Sequence, residues 1–143
     1  MELWQLTATE IIKKIKNKEI SVRESVTSAI NRSEEVNPNI NAVVASMGSA
    51  ALERADSLDQ KIKNGEDIGI LGGVPVTVKV NVDQIGYATT NGLKIQKDLV
   101  AKQNNPVISN LEKSGAIIIG RTNTPAFSLR WFTRNTLHGH TLN

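Results

Sequence analysis

A chain of 143 residues is long enough to bury a core as one domain, yet aromatics supply only 3% of it, so aliphatic side chains must build that core. Cysteine is absent, which excludes disulfides, thiolate chemistry and cysteine-rich zinc sites together and is compatible with a reducing cytoplasm. Seventeen basic and fourteen acidic side chains are interspersed, and the excess of +3, with a pI near 9.3, is too small to imply a nucleic-acid partner. The N-terminus, MELWQLTATEII, shows no basic segment leading into an apolar run. No stretch approaches the ~20 apolar residues of a membrane span. The expectation is a cytoplasmic protein without a membrane partner.

In chain order, Thr7 and Glu10 have the spacing of a capping box, and Ala8, Ile11, Ile12 and Ile15 follow at helical period to about Asn17. Lys13, Lys14, Lys16 and Lys18 on its outer face read as a solvated face with a favourable positive end, not as a binding patch. Ser21 and Glu24 repeat the signal, and Val22, Val26, Ala29 and Ile30 predict a second helix to about Val36, stopped by Asn37-Pro38. Alternation at Ile40, Ala42 and Val44 predicts a short strand or buried turn within 39–46. Ala51, Ala55, Leu58 and Ile62 predict a third helix over 48–63, closed by Asn64-Gly65.

From Val74 the apolar residues fall at Val74, Val76, Val78, Val80 and Val82, the period of two that a strand with one buried face requires. Its other face carries Pro75, Thr77, Lys79, Asn81 and Asp83. Residues 86–104 have no period and read as a long irregular segment of the kind that is functional or ordered by a partner. Asn105-Pro106 then predicts a capped helix with Val107, Ile108 and Leu111 inward and Gly115 at its end. Ala116 to Ile119 reads as a strand buried on both faces. Thr124-Pro125 looks like a further cap with proline at the first helical position, opening a turn through Phe127 and Leu129. The tail ends without a capped helix or finished strand and reads as a cut. The whole predicts an α/β layer architecture in a single domain over 1–143, helical over 1–65, with the lysine strand at 73–83 and a strand-helix-strand portion over 84–143.

Few residues can carry chemistry. His138 and His140 lie two apart, but no third histidine completes a zinc site, and they read as loop or interface residues. Ser21, Ser25, Ser28 and Ser33 fall on one predicted helix and Ser109 and Ser114 on another, so none sits on a nucleophile elbow. The glycines of 69–73 lack the spacing of a phosphate loop. Lys79 remains the best candidate. A lysine is a poor base near neutrality unless burial or a neighbouring cation favours its neutral form, and cover over its face of the strand would supply that burial. Asn81 and Asp83, on the same face at about 7 and 13 Å along a strand rising ~3.3 Å per residue, come next; Asn81 is placed to orient the ammonium, and Asp83 is too far to pair fully.

Two stretches carry a resemblance. Gly73-Val74-Pro75-Val76-Thr77-Val78-Lys79-Val80-Asn81-Val82-Asp83, followed by Gly86 and Thr89-Thr90, resembles the lysine-bearing strand of the amidase signature family. Leu111 to Phe127, LEKSGAIIIGRTNTPAF, matches a second motif of that family in the same order and spacing. The resemblance runs from about Trp4 to the last residue. It implies an incomplete amidase signature fold, in which N-terminal helices precede the start of a mixed, largely parallel sheet flanked by helices. It also implies a Ser-cisSer-Lys triad in which Lys79 is the base, with no cofactor and no metal. The bridging serine, in a glycine- and serine-rich segment, and the nucleophilic serine have no counterpart in this chain. By resemblance the activity is hydrolysis of a small-molecule carboxylic amide through an acyl-enzyme, with this chain alone inactive. Val80 stands where many members carry Asp, and Ala126 where many carry Glu, departures that argue mildly against the tRNA-dependent amidotransferase branch. The alternatives are a non-catalytic amidase-like domain that self-associates through its uncovered sheet, and a nucleic-acid-binding domain with steeply salt-dependent affinity.

Overall fold

The computed structural model describes residues 2–143. Four helices, α1 (Ala8–Lys16), α2 (Val22–Ile40), α3 (Gly48–Lys63) and α4 (Pro106–Lys113), surround a sheet of β1 (Val43–Ser46), β2 (Pro75–Lys79) and β3 (Ile117–Thr122). A hairpin of β4 (Arg134–Asn135) and β5 (Gly139–His140) completes the described chain.

Both capping boxes form. Thr7 Oγ1 accepts the Glu10 amide while Glu10 returns to the Thr7 amide, and Ser21 and Glu24 do the same. The Asp59 carboxylate of α3 also accepts from the first amides of α2, Val22 at 2.8 Å and Arg23 at 3.0 Å, so the helix start is held by a neighbour as well as by its own cap. The Ser21 amide, with the Ser21 hydroxyl second, holds the Glu24 carboxyl below its ordinary range; the Thr7 amide and hydroxyl do likewise for Glu10. A carboxyl depressed in the folded state stabilises above its unfolded value, about 4.3, and that contribution is lost as pH falls through the folded value. Ser21→Ala is therefore expected to cost about 1 kcal/mol in urea denaturation at pH 7, and a smaller difference from the parent is expected at pH 3.

The second helix runs past Asn37-Pro38 to Ile40, against the expected stop at Val36. The missing proline donor falls in the last turn, and the Asn37 side chain secures the chain beyond it. Its Oδ1 accepts from the Ala42 and Val43 amides at 2.8 Å, and its Nδ2 donates to the Val43 carbonyl at 2.7 Å. Asn41, with φ at +50°, closes the helix. The expected short strand is β1.

The sheet order is β1-β3-β2, with β1 antiparallel and β2 parallel to the central β3. The α/β class and mixed sheet agree with the sequence reading. One face of the sheet packs on α1, α2 and α3 through Ile11, Ile15, Val26, Ala55, Leu58, Val74 and Ile117; the other packs on α4 through Ile108, with Met47, Val78 and Ile118. Ile117 and Ile118 thus point into opposite cores, which is why Ala116 to Ile119 is apolar without alternation. The lysine strand is shorter than its valine pattern. It leaves the ladder at Lys79, and the Val82 amide turns back onto the Lys79 carbonyl at 3.0 Å.

Residues 86–104 are irregular as expected, with one short 3₁₀ turn at Lys94–Gln96. Pro125 does not open a helix. It lies extended, at φ −66° and ψ 158°, as the residue before a 3₁₀ turn over Ala126–Ser128, because Thr124 turns its hydroxyl onto the Pro125 carbonyl rather than onto a helical amide. The tail, expected without a finished strand, forms the β4–β5 hairpin. Among the described residues no helix is long and apolar enough to cross a membrane.

Candidate active site

Parallel pairing places the ends of β2 and β3 side by side, Lys79 opposite Thr122, and so brings the residues after Lys79 against those after Thr122. In open α/β sheets such carboxyl ends are where sites are built. The Val80 amide donates to the Thr122 carbonyl at 3.0 Å and is the last tie between the two strands. Beyond it the chain from β3 is pinned from several directions. The Asn123 amide donates to the Ala42 carbonyl at 2.9 Å, and the Asn135 side chain donates to Asn123 Oδ1 and to the Thr124 carbonyl, both at 2.7 Å. Thr124 is wholly buried.

Lys79, half-buried, donates from Nζ to Ser128 Oγ at 3.1 Å. Asn81 Nδ2 reaches the same oxygen at 3.2 Å, and Thr124 Oγ1 lies 3.0 Å from it. The sequence places Asn81 to orient the ammonium; the structure couples the two through Ser128 instead, because the chain turns after Lys79 and the along-strand spacing no longer applies. Asn81 Oδ1 is buried without a partner. Asp83 is exposed and accepts from the Thr89 hydroxyl, so it stands outside the lysine cluster, as expected.

Ser128 escapes a reading by pattern. It reaches Lys79 only because Phe127 and Ser128 both adopt left-handed backbone, at φ +53° and +59°, and no spacing announces two such residues in succession. Arg121 escapes it too, although a cation directly after the apolar run Ile117 to Gly120 is a signal. Its side chain, 1% exposed, crosses the sheet end to donate to the Val82 carbonyl at 2.7 Å and the Ala88 carbonyl at 3.2 Å, with the Tyr87 ring 5.7 Å away. Burial pulls the guanidinium below its ordinary pKa, and Asp83 and Tyr87 pull it back. Arg121 thereby fixes both ends of the 82–88 loop that leaves the lysine strand.

A cleft of about 1000 Å³ opens beside Ala126, lined by Leu93, Lys94, Arg130, Phe132 and Arg134 among others. The irregular segment contributes Leu93 and Lys94 to its rim. The two histidines do not converge on a metal: His138 Nε2 meets Thr90 Oγ1 at 3.1 Å, burial lowers the pKa of the ring, and His140 is exposed. Among the described residues no three metal-ligating side chains cluster.

The amidase family profile matches residues 24–143. The chain is 45% identical over 141 residues to an indoleacetamide hydrolase of Bradyrhizobium diazoefficiens, covering 99% of this chain and 27% of that protein. It is 39% identical over 136 residues to a glutamyl-tRNA(Gln) amidotransferase component of Carboxydothermus hydrogenoformans, covering 95% of this chain and 28% of that protein. Among solved structures, a bacterial aryl acylamidase of the amidase signature family superposes with a TM-score of 0.91 at 34% identity, over 96% of this chain and 29% of that one. The family profile and the sequence kinship along the chain agree with the shared α/β fold. The chain belongs to the amidase family, and it spans under a third of the length of these relatives.

Proposed function

We propose that this chain is the N-terminal part of an amidase that hydrolyses a small carboxylic amide, with Lys79 as the base. The observation that supports the reading is the placement of the Lys79 nitrogen at the carboxyl end of a parallel strand pair, held by a hydroxyl and clear of any acidic side chain in its hydrogen bonds. By resemblance, Lys79 takes a proton through a bridging serine from a nucleophilic serine, whose oxygen attacks the amide carbonyl carbon. The C–N bond then breaks, the nitrogen leaves as ammonia or an amine carrying that proton, and water hydrolyses the ester left on the enzyme. By the same resemblance those two serines have no counterpart among these 143 residues, and the reading is that turnover needs the remainder of an amidase. Kinship with an indoleacetamide hydrolase favours a primary amide of an arylacetic acid as substrate, and the mixed apolar and basic cleft beside Ala126 suits an aromatic body. Absence of cysteine fits a reducing cytoplasm.

The test is ammonia release from indole-3-acetamide and phenylacetamide, and aniline release from an acetanilide, by an enzyme carrying this segment joined to the downstream segment of its relatives, with hydroxylamine as a competing acceptor. Hydroxamate formed alongside acid supports the acyl-enzyme. A second reading, a non-catalytic domain that self-associates, draws on Ile95, Leu129 and Trp131, whose side chains are almost fully exposed. Mass that rises with concentration in light scattering, with no ammonia or aniline from any of these amides, would favour it and overturn the first reading.

A further inference from the structure

The Ser128 hydroxyl has no freedom left. It lies 3.1 Å from Lys79 Nζ, 3.2 Å from Asn81 Nδ2 and 3.0 Å from Thr124 Oγ1. Thr124 Oγ1 also lies 3.1 Å from the Pro125 carbonyl, to which it can only donate, an arrangement that turns the Ser128 proton toward Thr124. A hydroxyl offers one proton and two lone pairs. Here the proton goes to Thr124 and the two lone pairs receive Lys79 and Asn81. In that arrangement Ser128 meets Lys79 as an acceptor and not as the nucleophile of a serine–lysine dyad. Its oxygen is an acceptor aimed at the lysine nitrogen.

The setting of that oxygen is costly. Phe127 and Ser128 hold left-handed backbone in succession without being glycine, and the side-chain oxygen Oδ1 of neighbouring Asn81 is buried unpaired. Strain and unmet polar groups gathered in one place persist where the surrounding structure enforces them for a function. The turn is enforced by the Phe127 amide on the Asn91 carbonyl at 3.0 Å and the Ser128 amide on the Pro125 carbonyl at 2.8 Å.

We infer that Ser128 is a positioning residue for Lys79. Its oxygen binds one N–H of the lysine nitrogen and so restricts a long flexible stem to one direction, leaving the other valences of that nitrogen for the proton relay. Asn81 and Thr124 fix Ser128 in turn. The inference rests on Lys79 being the base proposed above.

The test compares Ser128→Ala, Ser128→Gly and Ser128→Asn in the enzyme of the ammonia-release assay, with Lys79→Ala as control. Ala and Gly remove the acceptor, while Gly also relieves the left-handed backbone. Asn tolerates that backbone and carries a side-chain carbonyl that can accept from lysine. The expected result is a kcat lowered about ten- to a hundredfold by Ala and Gly with KM changed less than about twofold, and recovery of most of that loss by Asn. The Gly variant is expected to melt no lower than the parent, which separates positioning from folding. If Ala and Gly keep the parental kcat while Lys79→Ala is dead, the positioning role is overturned and the base assignment stands. If Lys79→Ala keeps its turnover, the underlying assignment fails instead.

Discussion

Lys79→Ala in an amidase that contains this segment is expected to lower kcat by about a thousandfold or more, roughly 4 kcal/mol of lost transition-state stabilisation, with little change in KM. The size reflects the loss of the base: the nucleophilic oxygen stays protonated, and only water remains to take its proton. The fold should not notice. β2 is held to β3 through backbone groups, and the hydrogen bond of the Lys79 side chain goes to Ser128. Melting within about 2 °C of the parent is expected, since the bond lost is a part-exposed one. Lys79→Arg sharpens the comparison. Arginine keeps the charge and can still donate to Ser128, but it does not deprotonate, so it cannot serve as a base. Equal loss in both variants assigns proton transfer to Lys79; substantial activity in the arginine variant would assign it an electrostatic role instead.

Arg121→Met should be the most damaging single change to the fold around the site. Methionine fills much of the volume of the stem but supplies no donor, so the Val82 and Ala88 carbonyls lose their partner inside the protein. At about 1–3 kcal/mol for each part-buried group left unpaired, the cost is roughly 2–6 kcal/mol, against which relief of a buried cation returns part. A fall of the thermal midpoint by about 10 °C would be in keeping with that range. Arg121→Lys should be only partly better, because an ammonium cannot span both carbonyls as the planar fork does. A midpoint unchanged in both variants would mean that the 82–88 loop is held by its other contacts, such as the Asp83–Thr89 and Tyr87–Ala101 bonds.

Local rules govern the part of the molecule that is legible in the sequence. The caps at Thr7, Ser21 and Asn105 are hydrogen bonds within four residues, and each forms where the spacing places it. The stripe of α3 and the apolar run of β3 are packing patterns with a fixed period, and they too can be read. The rest is set at a distance. α2 passes Pro38 because Asn37 finds partners on β1, and the lysine strand ends early because its partner strand ends at Thr122. Lys79 emerges by elimination and resemblance, whereas Ser128 and Arg121 act through contacts 49 and 39 residues away in sequence. No window of neighbouring residues contains them.

The position of β1 in the sheet has a consequence for synthesis on the ribosome. Ser46 pairs with Gly120, and Asn41 donates to the His138 carbonyl. At 5–20 residues per second, the ~75 residues separating the two strands take about 4–15 s to emerge, and β1 waits unpaired throughout. α1, α2 and α3 can meet in that interval, since their shared core of Ile15, Val26, Ala55 and Leu58 is complete by residue 58. The nascent chain is thus expected to be a three-helix cluster carrying a vacant strand edge until β3 arrives, and that interval is when a chaperone or another nascent copy would find it most accessible.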